Sequence, residues 1–215
     1  MRAWSRFASG RIPIVTAAYA VALFVSNIWL ELSAPHTEAH VLYDASTNLH
    51  HLTRDPWFVL PASAFFTHAW VMFAVAGVIL GVGALERIAG WRAVLVVGIT
   101  AHVLGTVLSE GIVAIRIAIH DVSPSARHLL DVGPSYVIVG CAAAAIAWPR
   151  ASRNVQLAAM VALTPLLMLT AVRLPLLKVD AIGHATAALT GVASAMVKRR
   201  RGCATAALPA ESRPS

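Results

Sequence analysis

Six apolar segments, separated by short polar connections, constrain this chain more than any other feature of its sequence. A helix that crosses the hydrocarbon core of a bilayer needs about 17–25 apolar residues. Six such helices would take up more than half of the 215 residues. We therefore predict a single-domain, all-α, polytopic membrane protein built as a six-helix bundle. The segments lie at about 12–32, 59–85, 92–117, 133–148, 155–172 and 181–197.

Composition agrees with lipid as the solvent of this chain. With 58% hydrophobic and only 13% charged residues, a water-soluble domain could not cover its apolar surface. The last three segments are short, at about 16–18 residues, so we expect longer neighbours rather than lipid to enclose them. The connection at 33–58 is the longest, and we expect it to be a solvated loop on the lipid headgroups.

Basic residues between the segments predict the orientation, because Lys and Arg are retained on the cytoplasmic side. With a cytoplasmic N-terminus, 12 of the 17 basic residues fall inside. An even number of spans then places both termini in the cytoplasm of a multi-pass protein of the cell membrane. We divide the chain into a cytoplasmic N-terminal segment (1–11), a six-span membrane domain (12–197) and a basic, disordered cytoplasmic tail (198–215).

The net charge of +7 is typical of membrane topology rather than of nucleic-acid binding. Basic residues stand singly between apolar segments, and the one cluster, Lys198 to Arg201, directly follows the last segment. Cys141 and Cys203 resemble no metal-ligand spacing. We expect the lipid bilayer as a partner, and no nucleic acid, metal or cofactor.

Ionisable or reactive side chains inside the spans are functional candidates, since a charge at a helix centre costs roughly 2.5–3.5 kcal/mol on insertion scales. Few occur in this chain. They are His68 in the second segment, His102 and Glu110 in the third, Ser135 in the fourth and His184 in the sixth, with Asp131 and Asp180 at the outer ends of two spans.

Ser135 and His184 are expected at similar depth. Each follows an acidic residue, Asp131 or Asp180, by four positions on a helix that enters from the outside, which is about 6 Å at 1.5 Å per residue. A hydroxyl and an imidazole at one level have the parts for nucleophilic catalysis. Alternatively, the serine bonds back to its own helix carbonyl and the histidine is a packing residue.

Glycines flank both candidate residues. Gly133 and Gly140 surround Ser135, while Gly183 and Gly191 surround His184. Small faces of this kind allow two helix backbones to approach closely. The pattern therefore favours direct contact between the fourth and sixth helices.

His102 and Glu110 lie eight residues apart, and so on about the same face of the third helix. They could form a polar track toward the outer side. The alternative is ordinary hydrogen bonding between neighbouring helices.

At these residues the chain resembles the rhomboid family of intramembrane serine proteases. Gly133-Pro134-Ser135-Tyr136 is similar to the family's Gly-x-Ser-Gly motif on the fourth helix, and His184 with Gly191 looks like its histidine helix. Glu86 and Gly90 resemble the Glu-x-x-x-Gly segment that closes the family's second helix. The resemblance covers about 57–197. It implies a rhomboid-like bundle in which Ser135 is the nucleophile and His184 the general base.

The chain departs from the family pattern in two places. Tyr136 stands where the family has glycine, and the positions of the family's oxyanion His and Asn carry Trp70 and Ala74. Losing one oxyanion donor typically costs about 10²–10³ in rate, although the Ser135 backbone N–H remains. His68 lies near the family's histidine position. Gly133, Tyr136 and His68 are therefore the supporting candidates.

Three functional hypotheses follow. The first is a rhomboid-like protease that cleaves membrane-embedded client proteins through Ser135 and His184, without a cofactor. The second is a catalytically inactive rhomboid-like protein that binds the transmembrane helices of its clients, as the missing oxyanion residues and Tyr136 suggest. The third is a small transporter or proton pathway through His102, Glu110 and His184, for which broken helices in matching halves would be expected.

Overall fold

The fold is all-helical over the residues that the computed structural model describes, which are 13–149, 151–173 and 178–206. Strands are absent from these ranges, and a short 3₁₀ helix spans Pro124–His128. The helices are α1 (Ile14–Glu31), α2 (Pro35–Asp44), α3 (Leu49–Leu52), α4 (Pro56–Ser63), α5 (Val71–Ala89), α6 (Trp91–Ala118), α7 (Ser135–Ala147), α8 (Arg153–Arg173) and α9 (Val179–Ala206). Within α5, residues Val78–Val82 form a π-helical turn.

Four helices in the described part of the chain are long and apolar enough to cross a membrane: α1, α5, α6 and α8. Apolar side chains on their outer surfaces, such as Val25, Val96 and Val161, are exposed and suit contact with lipid. α7 has 13 residues and is shorter than a full span, while α9 has 28 residues but does not reach the hydropathy of the other four. The predicted membrane protein is thus confirmed, and a count of six spans is not.

The core lies around α7. Almost all of α7 from Tyr136 to Ala145 is buried, because α5, α6, α8 and α9 surround it. The expectation that neighbours enclose the short segments is confirmed for this helix. It is wrong for α8, which is 21 residues long and mostly exposed.

Small residues bring α7 and α9 together, as the glycine pattern predicts, and they bring α6 against α7 as well. A Cβ atom on Gly191 would overlap the carbonyl oxygen of Gly140, and one on Gly140 would overlap the side chain of Ala101 on α6. Since a helix backbone is narrowest at glycine, these positions set the distance between the helices. The central bundle can therefore hold its site side chains close to one another.

The predicted second segment, 59–85, is not one helix. α4 ends at Ser63 and α5 begins only at Val71, so residues 64–70 form a non-helical break. Pro61 inside α4 removes one backbone donor near this end. His68 falls in the break and is exposed, so its predicted position inside a span is wrong.

The connection at 33–58 is also not the solvated loop that was expected. It forms α2, α3 and the start of α4, and the four residues 45–48 between α2 and α3 are buried. Their backbone and hydroxyl groups bond Asp131: the Thr47 N–H donates to its carbonyl at 2.9 Å, and the Asp131 N–H donates to Ser46 Oγ at 2.9 Å. This connection therefore supports the segment that leads into α7.

The last helix runs past the predicted end of the membrane domain. α9 continues through the basic residues 198–201 to Ala206, so the first part of the predicted disordered tail is helical. The remaining tail residues, 207–215, lie outside the described residues. The N-terminal segment 1–11 also lies outside them.

Glu86 and Gly90 have structural roles at the start of the bundle. Glu86, near the end of α5, accepts hydrogen bonds from the backbone N–H groups of Val15 and Thr16 at 3.1 and 2.7 Å, and from Thr16 Oγ1 at 2.6 Å. A carboxylate at a helix N-terminus stabilises the first free N–H groups there. Gly90 takes a φ of +82° between α5 and α6, which a residue with a Cβ rarely adopts.

Candidate functional site

A cavity of about 820 Å³ opens between α5, α7, α8 and the start of α9. Ser135, His184 and His68 all line it, together with Gly133. Most of its wall is apolar, and charged groups lie toward one end. The apolar lining includes Phe73, Gly77 and Leu80 from α5, Ile138 from α7, and Ala162, Pro165 and Leu166 from α8; the charged residues are Arg116, Asp131, Arg173, Lys178 and Asp180.

Ser135 is the first residue of α7 and is half-buried. The preceding Pro134 offers no side-chain cap to this helix. The first N–H groups of an α-helix have no carbonyl partner within the helix, so those of Ser135, which lines the cavity, and of the next residue, Tyr136, are unused by α7. Because the helix begins only here, Ser135 does not lie one helical turn below Asp131, as the sequence suggested.

Gly133 shapes the turn that presents Ser135. Its φ is +147°, which strongly favours glycine, while a Cβ there would meet nothing closer than Thr67 Oγ1 at 4.0 Å. Its N–H donates to the carbonyl of Ser63 at 2.9 Å. Backbone conformation, rather than lack of space, therefore explains the glycine two residues before the serine.

His184 is buried in the second turn of α9, with 3% of its surface exposed. Its Nδ1 lies 3.1 Å from Thr170 Oγ1 on α8. Its Nε2 is buried and has no hydrogen-bond partner among the described residues. One ring nitrogen is thus held by a neighbouring helix, and the other is not.

Ser135 and His184 line the same cavity but do not form a hydrogen bond with each other. The Ser135 hydroxyl has no partner within the described part of the chain. The ring that contacts His184 is that of Tyr136, whose centroid lies 5.5 Å away at an interplanar angle of 81°. The structure therefore places both residues of the predicted pair at one cavity, but with no hydrogen bond between their side chains.

Tyr136 occupies a space that glycines on both neighbouring helices provide. A Cβ on Gly105 of α6 would come within 3.1 Å of its ring, and one on Gly183 of α9 would overlap it. Its hydroxyl donates to the Asp131 carboxylate, with distances of 3.2 and 3.3 Å to the two oxygens. The tyrosine at the family's glycine position is thus a buried element of the bundle core.

Asp131 lies in the connection before α7 and is bonded from two sides. Thr47 Oγ1 donates to its backbone carbonyl at 3.0 Å, and Tyr136 donates to its side chain. Burial raises the pKa of Asp131 to about 6, and the charge of Asp180 acts in the same direction; the hydrogen bonds from Tyr136 and Thr47 act against it.

A hydrogen-bonded Ser–His pair exists elsewhere in the molecule. His102 Nε2 lies 3.1 Å from Ser63 Oγ and 2.8 Å from the carbonyl of Leu60. Since Leu60 offers only an acceptor, the Nε2 atom carries the hydrogen and cannot take a proton from Ser63. The pair therefore supports the end of α4 and does not form an activated nucleophile.

The polar face of α6 continues from His102 toward the C-terminal end of the helix. Thr106, Ser109 and Glu110 are all buried on it. Thr106 Oγ1 and Glu110 Oε1 have no hydrogen-bond partner among the described residues. His102 and Glu110 thus do share one buried face, as their spacing predicts.

Two functional features escaped the sequence analysis. Thr170 was missed because threonine is common in membrane helices. Its partner, His184, lies on the next helix and cannot be identified from the sequence around Thr170. The sequence marks Tyr136 as a departure from the family's glycine, yet its contact with His184 depends on Gly105 and Gly183, which lie on two other helices. In the described residues no group of three His, Cys, Asp or Glu side chains is arranged to hold a metal ion.

Comparison with known proteins supports the relationship that these residues suggest. A family model described as rhomboid-like protein matches residues 11–204. Comparison with curated proteins and with solved structures gives no match. Because the matched region spans nearly the whole chain, this protein belongs to the rhomboid-like family.

Proposed function

We propose that this protein is an intramembrane serine protease that cleaves membrane-embedded clients near the outer face of the cell membrane. Ser135 is the nucleophile and His184 the general base. The observation that carries the proposal is that Ser135 and His184 line one cavity, while the Ser135 hydroxyl and His184 Nε2 have no hydrogen-bond partner in the described part of the chain. An unpartnered buried imidazole nitrogen is costly, so a role in the reaction accounts for it.

The reaction has two halves. Ser135 Oγ attacks the client carbonyl carbon while His184 Nε2 takes the hydroxyl proton, and the new C–O bond leaves a tetrahedral oxyanion. The C–N bond then breaks and Nε2 returns the proton to the leaving amine. Water hydrolyses the resulting ester by the same steps, with His184 removing a proton from the water.

The start of α7 supplies the oxyanion donors in this scheme. The free N–H groups of Ser135 and Tyr136 stand at the positive end of the helix dipole. They replace part of what the family's oxyanion residues provide, since Ala74 has no polar side chain and Trp70, whose indole N–H is a donor, is exposed and does not line the cavity. His68 lines the cavity from the break between α4 and α5 and is the nearest side-chain candidate for a further donor.

Catalysis requires the serine and the histidine to close on each other when a client binds. Catalytic hydrogen bonds are often long in the free enzyme and tighten in the substrate complex. A Ser135 side chain without a partner is free to change its χ1 rotamer. The apolar wall of the cavity, formed by α5 and α8, offers the surface for an unwound stretch of a client helix.

The proposal extends to topology. Six helices, α1 and α5 to α9, cross the membrane with both termini in the cytoplasm, and α7 spans as an enclosed helix. The excess of basic residues at both ends supports this orientation. Ser135, the first residue of α7, then lies near the outer surface.

Covalent labelling tests the protease. Purified wild-type protein should react with a serine-directed phosphonate at Ser135, as peptide mapping by mass spectrometry would detect. Ser135→Ala should abolish the label and His184→Gln should slow it strongly, while Ser125→Ala, at an exposed serine in the 3₁₀ helix, should react like wild type. A folded wild-type protein without label at Ser135 would contradict the proposal.

A second candidate is a client-binding protein without protease activity. This alternative is favoured because His184 packs against the Tyr136 ring and makes no hydrogen bond with Ser135. Site-specific crosslinking from Phe73, a cavity residue, would then capture client helices equally well in wild type and in Ser135→Ala, with no cleavage product in either. Accumulation of captured client only in Ser135→Ala would favour the protease.

A further inference from the structure

The hydroxyl of Thr170 has only one hydrogen, and the structure shows where it goes. Thr170 Oγ1 donates to the carbonyl of Leu166, one turn earlier on α8, at 2.7 Å. The same oxygen lies 3.1 Å from His184 Nδ1. Since the hydrogen is used by Leu166, the oxygen can only accept from the imidazole, and Nδ1 therefore carries a hydrogen.

A hydrogen on Nδ1 fixes the other ring nitrogen. In a neutral imidazole one nitrogen donates and the other accepts, so His184 Nε2 holds the free lone pair. This is the atom that is buried and without a partner in the described part of the chain. A general base needs such a lone pair, aimed by a hydrogen bond to the opposite nitrogen.

We propose that Thr170 is a positioning residue that holds His184 in the Nδ1–H tautomer and so presents Nε2 as the base. This rests on the proposed protease function for its catalytic meaning. The tautomer itself follows from the hydrogen bonds alone. Thr170 touches neither client nor Ser135 and acts through His184.

The surroundings favour a role in orientation. Thr170 has 6% of its surface exposed and lies on α8, whereas His184 lies on α9, so the bond joins two helices. The Tyr136 ring packs edge-on against the imidazole and offers it no acceptor for the Nδ1 hydrogen. Thr170 is thus the group that distinguishes the two ring nitrogens.

Nuclear magnetic resonance of protein with ¹⁵N-labelled histidine rings, in detergent micelles, tests the tautomer directly. His184 is assigned by the signals lost in His184→Gln. Wild type and Thr170→Ser should show a protonated Nδ1 and an unprotonated Nε2. Thr170→Val, which keeps the shape and removes the acceptor, should shift the population toward Nε2–H.

Thr164→Val is the matched control. Thr164 also lies on α8 and donates to the carbonyl one turn earlier, Met160, at 2.8 Å, but it is exposed and makes no hydrogen bond with His184. Its variant should leave the His184 signals unchanged. The proposal is overturned if wild-type His184 carries its hydrogen on Nε2, a result that needs no variant to fold, or if folded Thr170→Val keeps the wild-type tautomer.

Activity gives the second readout. Thr170→Val should lower the phosphonate labelling rate at Ser135 about tenfold, as expected for one lost orienting hydrogen bond, and Thr170→Ser should restore most of it. A normal tautomer in wild type together with no labelling would contradict the protease and leave the role of Thr170 in the tautomer standing. Normal labelling in Thr170→Val with an altered tautomer would overturn the positioning role alone.

Discussion

The rings of Tyr136 and His184 pack against each other nearly at right angles, with their centroids 5.5 Å apart. The residue directly after the candidate nucleophile thus packs against the candidate base, while the nucleophile itself makes no hydrogen bond with it. This arrangement depends on glycines at positions 105 and 183, which leave room for the ring. Tyr136 therefore connects the packing of α6, α7 and α9 with the position of His184 at the cavity.

Tyr136→Phe separates the ring from its hydroxyl. The variant keeps the contact with His184 and loses the hydrogen bond to Asp131, so we expect a loss of about 0.5–3 kcal/mol in the free energy of unfolding, since the acceptor is a carboxyl group. Thermal unfolding in detergent measures it. Tyr136→Ala should cost about 3–5 kcal/mol, because it leaves a cavity between two helices. Equal stability of the two variants would show that the ring does not pack as described.

Gly191→Ala should separate α7 from α9. Its Cβ would overlap the carbonyl oxygen of Gly140, a backbone atom that cannot turn aside. We expect a loss of about 1–3 kcal/mol or more in the free energy of unfolding. Gly111→Ala on α6 is the matched control, because nothing lies within 4 Å of the added atom; it should gain about 0.5–1 kcal/mol. The melting temperatures of the two variants in one detergent give the comparison.

The raised pKa of Asp131 predicts how stability depends on pH. The pKa of Asp131 is about 6 in the folded state against an ordinary value of 3.8, so between these two the folded state binds more protons than the unfolded state. This contribution to stability is fully present below the unfolded pKa and is lost as pH rises toward the folded one. Asp131→Asn should flatten the curve of melting temperature against pH between about 4 and about 6. An unchanged curve in Asp131→Asn would contradict the prediction that Asp131 causes this pH dependence of stability.

Glu86 should control the start of α1. In Glu86→Ala the N–H groups of Val15 and Thr16 and the hydroxyl of Thr16 lose their acceptor, which we expect to cost about 1–3 kcal/mol. Hydrogen exchange at these two amides, followed by mass spectrometry of the N-terminal peptide, should become much faster. Glu86→Gln keeps one acceptor oxygen and should show a smaller change. Slow exchange in Glu86→Ala would contradict the capping role.

The sequence predicts the membrane class and the main helices because apolar length is a local property of the chain. The prediction of small contact faces holds at Gly140 and Gly191, since glycine determines how closely two helices approach. The start of the second segment is wrong because a run of apolar residues does not reveal a break. Five of the seven residues 64–70 are apolar, yet Pro61 and the turn after Ser63 interrupt the helix there.

The candidate site was predicted in part. Ser135 and His184 line one cavity. His184 lies one helical turn after Asp180, as predicted, because both are in α9. Ser135 does not lie one helical turn after Asp131, because α7 begins only at Ser135. The buried contacts of residues 45–48 with Asp131 could not be read from the sequence, because they join segments far apart in the chain. The same holds for Thr170, whose role depends on its position relative to α9.

The most direct test of the account is the distance between Ser135 Oγ and His184 Nε2 in a structure of the phosphonate-treated protein. We predict an adduct on Ser135 with Nε2 within about 2.6–3.2 Å of Oγ or of an adduct oxygen. The Nδ1 atom should still be bonded to Thr170. A folded protein that forms no adduct, or an adduct in which neither Ser135 Oγ nor an adduct oxygen lies within hydrogen-bond distance of His184 Nε2, would contradict the assignment of these two residues as nucleophile and base.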